Sequence, residues 1–152
     1  MDPDVSSGPK WTVHSDGSAV PNPGRMGIGA VLVAPDGTRH EISQASQHHG
    51  CNNEAELMAL TTALQEAKRR GAKAVMLYCD NSVIVEQLVG TPTRRVARLA
   101  PELDMARQVI DAFDQLELRW IPRHRNGEAD ALARAALGLP SKSSDKPTRR
   151  RR

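Results

Sequence analysis

Blocks of alternating or recurring apolar positions predict three strands followed by helices and strands in turn. Trp11, Thr12 and Val13 open a first strand, and the run stops at Asp16, followed at once by Gly17 and Ser18. Pro21, Asn22, Pro23 and Gly24 then punctuate a tight turn. Gly27 to Ala34 is apolar and strand-forming, Asp36 and Gly37 make a hairpin turn, and Thr38 to Gln47 reads as the returning strand of a meander.

Helical spacing takes over after Asn52 and Asn53, which supply a cap. Leu57, Leu60, Leu64 and Ala67 recur on one face until Gly71 stops the helix. Ala74 to Cys79 is a nearly unbroken apolar run, as in a strand buried on both faces, and it ends on Asp80. Asn81 and Ser82 can cap a short helix, VIVEQLV, closed by Gly90, Thr91 and Pro92. A longer helix runs from about Val96 to Ala112, and Leu116 to Ile121 alternates as a strand. A polar loop from Pro122 to Gly127 leads into a last helix, Glu128 to Leu137. The order predicts an α/β domain, a mixed sheet with helices on its faces.

The 152 residues suit one domain, expected over residues 11–139, with a disordered segment at 1–10 and a disordered basic tail at 140–152. Lys142, Lys146 and Arg149 to Arg152 against Asp145 give the last dozen residues +5, leaving −2 of the net +3 for the rest. The globular part is therefore slightly acidic, and the tail is suited to polyanions. No apolar run reaches membrane length and MDPDVSSGPK lacks the layout of a secretion signal, so the expectation is a cytoplasmic protein with no membrane partner. Cys51 and Cys79 lie in no CxxC pair and read as reduced thiols.

Four acids stand at strand ends or helix starts. Glu54 and Glu56 lie about 200° apart around a helix, so only one can face inward. Glu56 sits one turn before Leu60 on the apolar stripe, whereas Glu54 stacks with Met58, Thr61 and Gln65. Each acid also has an ordinary use: Asp16 in a turn, Glu56 in a capping box with Asn53, Asp80 as a helix cap, Asp130 at a helix dipole and paired with Arg134. If they converge, their repulsion calls for a hard divalent cation. Magnesium prefers oxygen ligands, and two ions roughly 3.5 to 4 Å apart suit phosphodiester hydrolysis.

SDGSAVPNPG, NNEAELMAL, YCDNS and IPRHRNGEADALARAA, in that order, resemble the motifs of the type 1 ribonuclease H family from Trp11 to Leu137. The resemblance implies a ribonuclease H-like fold, a five-stranded mixed sheet flanked by helices. It also implies an endoribonuclease that cuts the RNA strand of RNA/DNA hybrids to 5′-phosphate and 3′-hydroxyl ends. Two Mg2+ ions are implied as cofactors, with Mn2+ able to substitute. Carried over by position, the catalytic and metal-holding acids are Asp16, Glu56, Asp80 and Asp130. Gly17, Ser18 and Asn22 match the first substrate-contacting turn, and Asn52 with Asn53 match the pair that reads the hybrid's minor groove. His124 resembles the histidine that helps product leave, and Arg123 and Arg125 read as phosphate contacts. The chain is expected to act as a monomer.

Two departures concern affinity. The basic, Trp-containing handle of some members is missing, with only Arg94, Arg95 and Arg98 in its place, so the resemblance is to handle-less bacterial members. Cys51 stands where many members have a Thr that binds a DNA phosphate. The alternatives are a non-cleaving nucleic-acid-binding module of the same fold, or a related nuclease that cuts DNA or double-stranded RNA.

Overall fold

A computed structural model describes residues 9–90 and 96–140. Among them lie five strands and four α-helices. The strands are β1 (Trp11–Val20), β2 (Gly24–Val33), β3 (Arg39–Gly50), β4 (Ala74–Cys79) and β5 (Gln115–Trp120). The helices are α1 (Asn52–Arg69), α2 (Ser82–Leu88), α3 (Ala100–Asp111) and α4 (Gly127–Ala136). No helix among the described residues is long and apolar enough to cross a membrane.

The sheet order is β3-β2-β1-β4-β5. The first three strands pair antiparallel, as a meander requires, while β4 lies parallel to β1 and β5 parallel to β4. The expected mixed sheet is thus present, with its switch from antiparallel to parallel at β1. The core fills the space between the sheet and α1, where Leu57, Leu60, Ala63, Leu64 and Ala67 are fully or almost fully buried. These are the apolar stripe positions of α1, and burying them supplies most of what holds the helix down.

Element boundaries differ from expectation in ways that packing explains. β1 does not end before Asp16 but continues to Val20, because β2 pairs with it as far as Val20↔Arg25. Gly17 is therefore a strand residue rather than a turn. A Cβ there would lie 2.2 Å from the backbone carbonyl of Ala55, so its role is to let α1 touch β1. Gly29 does the same for α4, where a Cβ would lie 2.2 Å from the Ala129 carbonyl oxygen. β3 runs on to Gly50, and between the pairs Arg25↔His49 and Gly27↔Ala45 it carries extra residues, a bulge in β3 opposite β2. The predicted long helix begins as a 3-10 turn, Ala97–Leu99, before α3 starts at Ala100 with Pro101 in its first turn. Arg94, Arg95 and the basic tail from Ser141 lie outside the described residues.

Candidate active site

The site lies where β4 leaves β1. Their parallel pairing ends at Ser15↔Cys79, and beyond that point the edge of β1 has no strand beside it. Its backbone groups must bond elsewhere. The Ala19 N–H donates to Asn52 Oδ1 at 2.8 Å, and the Gly17 N–H donates to Asp16 Oδ1 at 3.0 Å. The Ser15 carbonyl accepts from Asn126 Nδ2 at 3.0 Å. Three side chains, Asp16 of the strand itself, Asn52 and Asn126, thus serve one strand edge.

Asp16, Glu56 and Asp80 each offer a carboxylate oxygen, and these atoms all lie within 4.8 Å of one another. Asp130, in the first turn of α4, joins them by acting on Asp16 through charge and a side-chain hydrogen bond. Together they line a cavity of about 360 Å3. Gly17 and Ser18 of β1, Asn52 and Asn53 of α1, Asn81, Ser82 and Arg123 complete its wall.

Burial raises Asp16 to about 7, and the charges of Asp80 and Asp130 push the same way, while a hydrogen bond with Glu56 opposes them. Burial also holds Glu56 well above the usual carboxylate range, reinforced by the Asp16 charge beside it and partly offset by the Gly17 N–H. Without a cation the pair therefore retains a proton at neutral pH. Glu56 Oε1 is buried with no hydrogen-bond partner. An all-oxygen donor set with an unsatisfied buried carboxylate oxygen fits a hard divalent cation.

Asp130 keeps its place at the helix dipole of α4, but the capping and pairing uses open to the acids fall to other groups. Cys51 precedes α1, and Glu54 Oε1 accepts its N–H at 2.8 Å, so Glu54 rather than Glu56 completes the capping box and neither Asn52 nor Asn53 is the cap. Asn81 caps α2, accepting from Val83 N–H at 3.0 Å and Ile84 N–H at 3.2 Å, which leaves Asp80 free of that task. Arg134 donates to the Pro140 carbonyl at 2.7 Å rather than pairing with Asp130.

Three residues named from sequence occupy other places. Asn22 lines no part of the cavity, and its Oδ1 instead accepts the Asn52 N–H at 3.0 Å, holding the entry to α1. His124 is exposed in the 3-10 turn Arg123–Arg125 and lines a neighbouring hollow with His14 and Arg125. The Cys51 thiol accepts from the Arg98 guanidinium at 3.3 Å, a contact that joins α1 to the turn before α3. Asn126 was not singled out from sequence at all, although it is 2% exposed and bonds Asp80 Oδ2 at 2.7 Å. It reads as one more residue of a polar loop, since its partners lie 46 and 111 positions away. Trp120 adds a further tie, its indole N–H donating to the Asp80 carbonyl at 3.2 Å.

Residues 14–136 match the family described as reverse transcriptase-like. The chain is 30% identical over 137 residues to the bifunctional protein Rv2228c of Mycobacterium tuberculosis, covering 89% of this chain and 37% of that protein. It is 34% identical over 127 residues to ribonuclease HI of Halobacterium salinarum, covering 82% and 64% respectively. The chain thus spans less than two thirds of the length of these relatives. Its fold matches the crystal structure of RNase H1 from Halobacterium salinarum with a TM-score of 0.79 and 32% identity, over 85% of this chain and 98% of that one. It matches LC11-RNase H1 in complex with RNA/DNA hybrid with a TM-score of 0.75 and 28% identity, over 84% and 96%.

Proposed function

This chain belongs to the reverse transcriptase-like, ribonuclease H family, and on that premise we propose that it is an endonuclease cutting the RNA strand of RNA/DNA hybrids to 5′-phosphate and 3′-hydroxyl ends. The observation that carries the reading is the set of carboxylate oxygens of Asp16, Glu56 and Asp80 within 4.8 Å, opening on a cavity that Asn52 and Asn53 share.

Asp16 and Asp80 are the residues that would hold two magnesium ions, Glu56 one of them and Asp130 the other, with manganese able to substitute. When bound, the ions would supply positive charge at the scissile phosphate and lower the pKa of a water so that it can attack as hydroxide. The protein's own part is positional. Ser18 and Arg123 face the cavity beside the acids, where a hydroxyl and a guanidinium can bind phosphate oxygens. Asn52 Oδ1 accepts from Ala19 and Asn53 Oδ1 from Asn81 Nδ2 at 2.7 Å, so both amides spend their oxygens on the protein. Their nitrogens are left to donate, and a minor groove offers acceptors: base-edge oxygens and nitrogens and the 2′-hydroxyls that mark RNA. His124 would aid product departure from the rim. The unit proposed to do this is residues 11–139, acting as a monomer in the cytoplasm with both cysteines reduced, as both are free in the structure.

Labelled RNA/DNA, RNA/RNA and DNA/DNA duplexes of one sequence, each with magnesium, manganese or chelator, test the proposal. Cleavage confined to the RNA strand of the hybrid, and abolished by chelator, is the expected result. Equal cutting of RNA/RNA would replace it with the double-stranded RNA nuclease, and binding without cutting with the non-cleaving module.

A further inference from the structure

We infer that Asn126 is a positioning residue for the acidic site, fixing the Asp80 carboxylate against the open edge of β1 so that one carboxylate oxygen stays available to a cation. The inference rests on the proposed reading of the site and deepens it.

Asn126 Nδ2 donates to Asp80 Oδ2 at 2.7 Å and to the Ser15 carbonyl at 3.0 Å. Both partners only accept, so the amide has one possible orientation, and both of its protons are used. Its backbone carbonyl also accepts the Asp130 N–H at 3.1 Å. One residue therefore bonds the neighbour of Asp16, the side chain of Asp80 and the backbone of Asp130, three of the four acid-bearing segments.

The bond to Asp80 does not serve to satisfy a buried charge. Asp80 is only half-buried, and water could solvate it if it turned outward. Meanwhile Asn126 Oδ1 is buried with no hydrogen-bond partner, a cost that a residue kept for packing alone would avoid. What the amide gains is direction. A neutral donor orients the carboxylate without adding positive charge, so it does not compete with a cation for the site as Lys or Arg would. It engages one oxygen of Asp80 and leaves the other. Donors behind metal-binding carboxylates act in this way, and losing them typically lowers metal affinity or activity about 10- to 100-fold.

The test uses the full chain with Asn126→Ala and Asn126→Leu, the second filling a similar space with neither a donor nor a charge. Calorimetric titration with MgCl2 or MnCl2 alone should show a dissociation constant raised about 10- to 100-fold in both. On hybrid, kcat at fixed cation should fall by a similar factor while KM for the hybrid stays within about twofold. A role in folding alone would lower the metal-free melting temperature and leave the cation dissociation constant unchanged, which would overturn the inference. A wild-type titration followed through the Asn126 side-chain amide resonances covers the case in which the variants do not fold. These resonances should shift with the cation, and their failure to move would also sink the inference. Should the wild-type chain bind cations yet cut no hybrid, the nuclease reading falls while the positioning of Asp80 is still decided by the titration.

Discussion

Asp16 and Glu56 are pressed together across a backbone contact between β1 and α1, and burial raises both, whereas Asp80 is half-buried and tied down by Asn126 and, through its carbonyl, by Trp120. The first pair stores repulsion and retains a proton until a cation displaces it. The second is set in place beforehand by neutral donors. Under the proposed function the difference would separate two tasks within one cavity: one pair would supply the drive for cation binding, and the anchored acid would supply direction.

The strongest way to break this contrast is Asp16→Asn. Cleavage of hybrid should fall below detection, while the metal-free protein melts a few degrees higher, at about 2 to 4 °C per kcal/mol of repulsion removed. Asp80→Asn should also abolish cleavage, but with a smaller gain in melting temperature, since Asp80 is less buried than Asp16 and water screens its charge. Equal gains in calorimetric melting for the two variants would dissolve the distinction.

The pH dependence of stability sharpens the same contrast. An acid whose folded-state value is raised binds its proton more tightly folded than unfolded, so its contribution is most favourable below the unfolded value and is lost as pH rises through the folded one. With Asp16 moved from 3.8 to about 7, metal-free protein should lose stability between roughly pH 4 and pH 7. Saturating magnesium should flatten that slope, and denaturant titrations at several pH values with and without the cation would measure it. A metal-free stability that rises over that range would contradict the assignment.

Smaller effects are expected away from both arrangements. Removing Ser141 to Arg152 takes +5 from a chain whose remainder carries −2, so hybrid binding by metal-free Asp16→Asn protein should weaken and its salt dependence flatten. Each lost phosphate contact lowers the slope of log affinity against log salt by roughly 0.7 to 0.9, and identical slopes would leave the tail no part in capture. Smallest of all is Glu54→Gln, which keeps the oxygen that accepts from Cys51 N–H and should leave kcat within about twofold of wild type.

Where one segment carries its own pattern, the sequence is enough to read it. The stripe through Leu57, Leu60 and Leu64 identifies α1 and turns Glu56 inward and Glu54 outward, as helical geometry demands. The apolar run Ala74 to Cys79 likewise shows β4, and the strand meander follows from its turns. Contacts between distant segments are what the pattern hides. SDGSAV reads as strand then turn because Asp, Gly and Ser favour turns locally, yet pairing with β2 overrides that preference up to Val20. Asn126 is invisible for the same reason, its partners being set by the convergence of β1, β4 and α4. The cap of α1 falls on Cys51 rather than on Asn52 or Asn53, a position the sequence hides because a thiol is a poor cap, and Glu54 makes the cap effective from the other side.

Gly17 gives this architecture a sharp tolerance. Since β1 and α1 meet there backbone to backbone, the gap between Asp16 and Glu56 is measured by main-chain atoms, with no side chain between them free to adjust. A single methyl group at position 17 would work as a wedge, lifting the first turn of α1 and parting the two carboxylates while every acid remained in the sequence. An inventory of acidic residues would count such a chain as intact, although the spacing that makes them a site would be gone.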